Sequence, residues 1–207
     1  MFYCAAFAHT ASMRIALFGG SFNPPHIAHL IVAEVARDQF AFDAVWWIPN
    51  ATPPHKDNGQ LAATTHRLAM TRAAIAQHDG FSICDIEIER PGVSYTVDTV
   101  RALSEQHPNA DFTLIIGSDS LDTFHTWREP DAITTLADLV VYKRPGGLGN
   151  VAAPRFANQA RYVAAPMLEV SSTEVRQRCR DGRSIRYMVP AAVQTYIRSH
   201  GLYDVES

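Results

Sequence analysis

Two histidines, His26 and His29, stand three residues apart just past an apolar run in IALFGGSFNPPHIAHLIVAEVA (15–36). At i and i+3 on a helix they share one face of its first turn. Such a pair can ligate a metal, bind an anion, or simply pack. Metal ligation fits least, because the zincin pattern needs an i,i+4 pair with a glutamate between, and no third ligand is evident. The preceding loop favours an anion. Gly19 and Gly20 permit close backbone approach. Asn23-Pro24-Pro25 forces a turn, and the helix that follows offers free N–H groups at the positive end of its dipole. The loop is neither a Walker A, which needs G-K-[ST], nor a G-x-G-x-x-G dinucleotide turn. Packing and anion binding both stay open on these residues alone.

SSTEVR (171–176) repeats the theme near the other end of the chain. Ser171 fits a helix N-cap, and Glu174, three residues on, completes a capping box, as at many plain helix starts. Arg176 adds a rigid guanidinium fork beside the free N–H groups, a geometry suited to phosphate oxygens. Asp119, in GSD after the run DFTLIIG (111–117), can bond ribose hydroxyls or help hold a metal. Ribose is preferred by analogy with acidic residues in other nucleotide sites.

Composition bounds what surrounds these groups. The 207 residues are 47% hydrophobic and 19% charged, enough for a real core in one domain. A net charge of −3 argues against a general nucleic-acid binder. Cys4, Cys84 and Cys179 are scattered without C-x-x-C spacing, so neither a disulfide framework nor a zinc knuckle is indicated. A reducing, cytoplasmic setting fits. No apolar run approaches the roughly 20 residues of a membrane span. The leader MFYCAAFAHTAS (1–12) lacks a basic n-region and is expected to be a poorly ordered extension, leaving 13–204 as a single domain.

Strand and helix patterns alternate along that domain. Strands are expected at 14–18, 44–49, 111–117 and 137–145, with one or two in 81–89 and short ones in 161–170. Helices are expected at 29–40, 61–78, 96–107, 172–182 and 190–201; Gly182 and Gly201 stop the last two and Pro190 opens the last. The loop 144–154 is expected to be a mobile excursion. Strands that alternate with helices require crossovers, which imply an α/β, doubly wound, mostly parallel sheet with helices on both faces. Ligands of such sheets sit beyond the carboxyl ends of the strands, where the motifs above fall.

GGSFNPPHIAH resembles the G-x-F-[DN]-P-x-H-x-G-H signature of the nucleotidylyltransferase superfamily. PNATPPHK (49–56), ERPGVSYTVDTV (89–100), IGSDSLDTFHTW (116–127), SSTEVR and the tail YMVPAAVQTYIRSHGLY (187–203) follow in the order of the bacterial nicotinate-nucleotide adenylyltransferases. The resemblance spans roughly Met13 to Tyr203. Ala28 departs from it, standing where the family has glycine. The family implies a Rossmann-like fold and transfer of the adenylyl group of ATP to nicotinate mononucleotide in NAD biosynthesis, with Mg²⁺ delivered by ATP rather than held by a resident metal site. It assigns ATP to Gly19, Gly20, Ser21, Phe22, Asn23, His26, His29, Asp119, Ser172, Thr173 and Arg176. His26, His29 and Arg176, with Lys56, become cations that stabilise charge on the phosphates. The mononucleotide falls to Asn50, His55, Lys56, Thr96 (to the nicotinate carboxylate) and Trp127 (stacked on the cationic pyridine ring). Another small phosphate acceptor, nicotinamide mononucleotide included, and a non-catalytic nucleotide sensor are the alternatives.

Overall fold

A computed structural model describes residues 12–51, 61–90, 92–144 and 153–203. The expected layout is largely present. Strand β1 (Met13–Gly20) leads into helix α1 (Ile27–Gln39), β2 (Ala44–Pro49) into α2 (Thr64–Ile75), and β3 (Phe81–Ile83) into the single turn α3 (Ile86–Glu89). Next come α4 (Thr96–Gln106), β4 (Ala110–Gly117), α5 (Ser118–Thr123), a 3₁₀ turn (Phe124–Thr126), α6 (Pro130–Leu136) and β5 (Asp138–Tyr142). The chain ends with α7 (Pro154–Gln159), β6 (Arg161–Tyr162), α8 (Ser172–Arg180) and α9 (Ala191–Ser199).

The six strands pair in parallel in the order β3-β2-β1-β4-β5-β6. The strand order reverses between β1 and β4, the switch point where doubly wound sheets bind ligands. Alternation along each strand feeds both faces. Ile15, Leu17, Leu114, Ile116 and Val141 meet α4, α5, α6 and α7 on one side. Ala16, Phe18, Trp47, Ile115 and Val140 meet α1 and α2 on the other. Both faces are therefore covered, which explains the continuous apolar runs. A smaller cluster of Met70, Val175, Ile185, Val193 and Ile197 joins α2, α8 and α9.

Several local expectations are corrected. The stretch 81–89 is strand only to Ile83; the last bond to the sheet runs from Cys84 N–H to Trp47 O (2.9 Å). The chain then turns helical because Asp85 O accepts from Ile88 and Glu89, while Glu87 is buried against Thr99 Oγ1 (2.8 Å). Within 161–170 only Arg161 and Tyr162 form a strand. Past them Gln39 replaces a neighbouring strand, its amide accepting from Ala164 N–H (2.8 Å) and donating to Tyr162 O (3.0 Å). Helices α5, α6 and α7 have six or seven residues each, too short for a helical period to stand out. Helix α1 begins two residues earlier than its apolar pattern, and His26 is its N-cap. Residues 1–11 and most of the loop 144–154 lie outside the described residues.

Candidate active site

A cleft of about 1170 Å³ opens at the carboxyl ends of β1 and β4. The β1–α1 loop supplies Gly19, Gly20, Ser21, Phe22 and Asn23 to its wall, and α1 supplies His29. Asn50 enters after β2, Thr96 at the start of α4, Asp119 in α5 and Trp127 after the 3₁₀ turn. Ser172, Thr173 and Arg176 come from α8. Residues drawn from both ends of the sequence thus face one space. His55 and Lys56 lie outside the described residues.

The β1–α1 loop is held from three directions. Arg176, 9% exposed, donates from Nη1 to Asn23 O (2.9 Å) and from Nη2 to Thr173 Oγ1 (3.3 Å). Ser172 Oγ donates to Pro24 O (2.8 Å), so this hydroxyl locks α8 to the loop. Ser171 caps α8 by accepting from Glu174 N–H (3.1 Å), but the Glu174 carboxylate lies by Arg178 (3.9 Å) rather than closing a capping box. From the far end of the chain the Tyr203 hydroxyl donates to Asn23 Oδ1 (2.9 Å), which also accepts from Ala62 N–H (3.1 Å). Burial raises the Tyr203 phenol above its ordinary pKa, keeping it a donor.

Arg67 is the largest omission of the sequence reading. It is 1% exposed and uses all five N–H groups. Nε donates to Ala62 O (3.1 Å), Nη1 to Ser21 O (3.0 Å) and Asn50 Oδ1 (3.3 Å). Nη2 reaches Ala51 O (2.9 Å) and Thr64 Oγ1 (3.0 Å). One guanidinium therefore ties the loops after β1 and β2 to the start of α2. The signal was its spacing with Met70 and Thr71, which places an arginine on the buried stripe of α2.

His26 is not the cation expected. It is 3% exposed and, with Ala28, borders a smaller recess that shares His29 and Asp119 with the main cleft. Burial lowers its pKa from 6.5 to about 3, with nearby Arg144 acting in the same sense. It is neutral at physiological pH, and neither ring nitrogen has a partner among the described residues. Its backbone N–H donates to His29 Nδ1 (3.1 Å), and the two rings stack at 3.6 Å. A nitrogen that accepts this bond carries no proton, so when the His29 ring is neutral its proton sits on Nε2. Phe22 and Phe18 pack edge-on against the His29 ring at 5.3 and 6.0 Å and fix its plane.

The His26 shift has a definite sign. The unfolded chain takes up a proton near pH 6.5 that the folded ring refuses until about pH 3, so wild-type stability falls with pH across that window. His26→Phe removes this dependence. Between pH 6 and 4.5 the wild type is expected to lose about 2 kcal/mol more unfolding free energy than the variant, in denaturant titrations at each pH. Parallel curves would mean that the ring protonates within the fold.

Asp119 is paired with Arg144 at 2.9 Å, a partner that the sequence reading did not single out. The pair fits because Gly117 has no side chain; a Cβ there would collide with the Asp119 carboxylate and with Arg144 Cδ (2.7 Å). At Gly19, by contrast, a Cβ meets nothing within 4 Å and would project into space left for a ligand. No cluster of three or more metal-ligating side chains occurs among the described residues, and no helix there is long and apolar enough to cross a membrane.

Comparison with known proteins agrees with this geometry. Residues 17–178 match the cytidylyltransferase-like family. A probable nicotinate-nucleotide adenylyltransferase of Salinibacter ruber is 61% identical over 191 residues, covering 92% of this chain and 98% of the relative. That of Halalkalibacterium halodurans is 42% identical over 191 residues, covering 92% and 91%. The nicotinic acid mononucleotide adenylyltransferase of Plasmodium falciparum, solved in complex with NaAD, shares the fold at a TM-score of 0.77 and 20% identity, over 93% of this chain and 98% of that one.

Proposed function

The chain belongs to the cytidylyltransferase-like family, and within it to the nicotinate-nucleotide adenylyltransferases; on that premise we propose how its residues carry the reaction. The enzyme transfers the adenylyl group of ATP to nicotinate mononucleotide in NAD biosynthesis. A phosphate oxygen of the mononucleotide forms a bond to the α-phosphorus of ATP while the bond from that phosphorus to the bridging oxygen breaks, and pyrophosphate leaves with the electron pair. The attacking phosphate has a second pKa near 6 and is already ionised at neutral pH, so no general base is needed. The work left to the protein is in-line positioning and stabilisation of charge.

In this reading the backbone of Gly19–Asn23 and the start of α8 cradle the triphosphate, with Thr173 and Arg176 as side-chain partners. His29 supplies a neutral Nε2–H donor. His26 supplies a second neutral donor, from a buried imidazole whose ring nitrogens have no hydrogen-bond partner of ordinary geometry among the described residues. Asp119 takes the ribose hydroxyls, exchanging Arg144 for them. Asn50 and the sequence neighbours His55 and Lys56 serve the mononucleotide phosphate, while Trp127 and Thr96 take its base.

Nucleotidyltransferases of this kind generally use a divalent metal. Mg²⁺ is the proposed ion; it would arrive with ATP, neutralise phosphate charge and keep substrate oxygens and water as its ligands. Residues 13–204 are read as one domain and the setting as cytoplasmic.

The observation that carries the reading is the convergence of the β1–α1 loop, His29 and the α8 start at the β1/β4 switch point. Its test is pyrophosphate release from ATP with nicotinate or nicotinamide mononucleotide as acceptor. Turnover with nicotinate mononucleotide is expected; release with neither acceptor would overturn the reading.

A further inference from the structure

We propose that Arg128 selects the acceptor, by engaging the carboxylate of a pyridine-carboxylate mononucleotide and disfavouring the carboxamide; the inference rests on the function proposed above. Arg128 follows Trp127 and lines the same cleft as Tyr95 and Thr96. Its guanidinium carbon lies 4.9 Å from the centre of the Tyr95 ring, and Tyr95 is the N-cap of α4. Its Nη1 lies 3.6 Å from Asp98 Oδ2 in the first turn of that helix. The cation is thereby stationed at the positive end of α4, next to Thr96.

Arg128 is held there loosely. Its approaches to Asp98 (3.6 Å) and Glu129 (3.8 Å) exceed hydrogen-bond length, and its side chain is 52% exposed. Arg144 and Arg176, also in the cleft wall, each make a 2.9 Å bond. The Glu129 carboxylate is taken by Arg101, and the Glu87 carboxylate deeper in the cleft accepts from Thr99 (2.8 Å). A guanidinium so placed keeps its fork for an incoming acceptor.

A carboxylate offers two acceptor oxygens to that fork, whereas a carboxamide turns one donor NH₂ group toward donors. The first N–H groups of α4 favour the anion in the same sense. Asp98 acts as a counterweight: without Arg128 its carboxylate repels an anionic ring substituent and accepts from an amide. Removing the arginine therefore shifts preference in one direction only.

The test compares kcat/KM for nicotinate and nicotinamide mononucleotide in wild type, Arg128→Gln and Arg128→Lys. Arg128→Gln is expected to lose about 10- to 10²-fold on nicotinate mononucleotide, chiefly through KM. The KM for ATP and the activity on nicotinamide mononucleotide stay within about threefold, and Arg128→Lys recovers part of the loss. An unchanged ratio in Arg128→Gln, or an equal loss on both acceptors, would overturn the inference while leaving the proposed function standing. A wild type active on neither acceptor would remove both.

Discussion

His29→Ala is expected to reduce kcat/KM for adenylyl transfer by about 10²- to 10³-fold, the usual cost of one donor aimed at charge that develops in the transition state. In the neutral ring the donor is Nε2–H. Nδ1 is occupied by the His26 backbone N–H at 3.1 Å, and two phenylalanine edges hold the ring, so Nε2–H has a fixed direction. That direction is set before substrate arrives, which is the condition for strong electrostatic stabilisation. His29 is only partly buried and its backbone stays helical in the variant, so the midpoint of thermal unfolding should move little. Pyrophosphate release under saturating ATP, together with a thermal melt, separates the two effects. Turnover within a factor of a few of wild type would remove His29 from the chemistry.

The largest effect on stability is expected at Arg67. Arg67→Met fills similar space but leaves three backbone carbonyls, Asn50 Oδ1 and Thr64 Oγ1 without their charged donor. Buried acceptors stripped of such a partner cost on the order of 3–5 kcal/mol in total. For a domain of this size that corresponds to a Tm lower by roughly 10 °C, measured by calorimetry. Arg67→Lys keeps the charge but offers one ammonium where a planar fork served five acceptors, so it should restore little. A melt within 2–3 °C of wild type for Arg67→Met would show that water replaces the guanidinium, and that the three loops hold their places without it.

These two residues also mark how far the sequence could be read. His29 was found at once, because a histidine pair after a glycine turn is a local pattern. The hold on its ring was not, since that depends on neighbours the fold brings together. Burial keeps His26 neutral, and a single backbone bond fixes the tautomer of His29. Arg67 belongs to no local motif within the expected helix 61–78, although its place on the buried stripe was visible.

The same division holds for the fold. Strands β1, β2, β4 and β5 were legible because a strand buried on both faces must be apolar throughout, a property of the segment itself. Segment 81–89 was misjudged because strand-like alternation also suits a single helical turn that buries Glu87 against Thr99. Helices α5, α6 and α7 were missed because so few residues cannot display a period.

By itself the sequence determined the doubly wound class, the glycine turn with its histidine pair at the first strand end and the family to which the ordered motifs belong. Only the tertiary structure decided that Tyr203 closes on Asn23, that Arg144 occupies Asp119, that Ser172 fastens a loop, and that Arg128 stands at the start of α4. Motifs are short-range and survive as patterns along the chain. These pairings join residues as many as 180 positions apart, and their strength depends on burial and distance, which exist only once the sheet has brought the strand ends together.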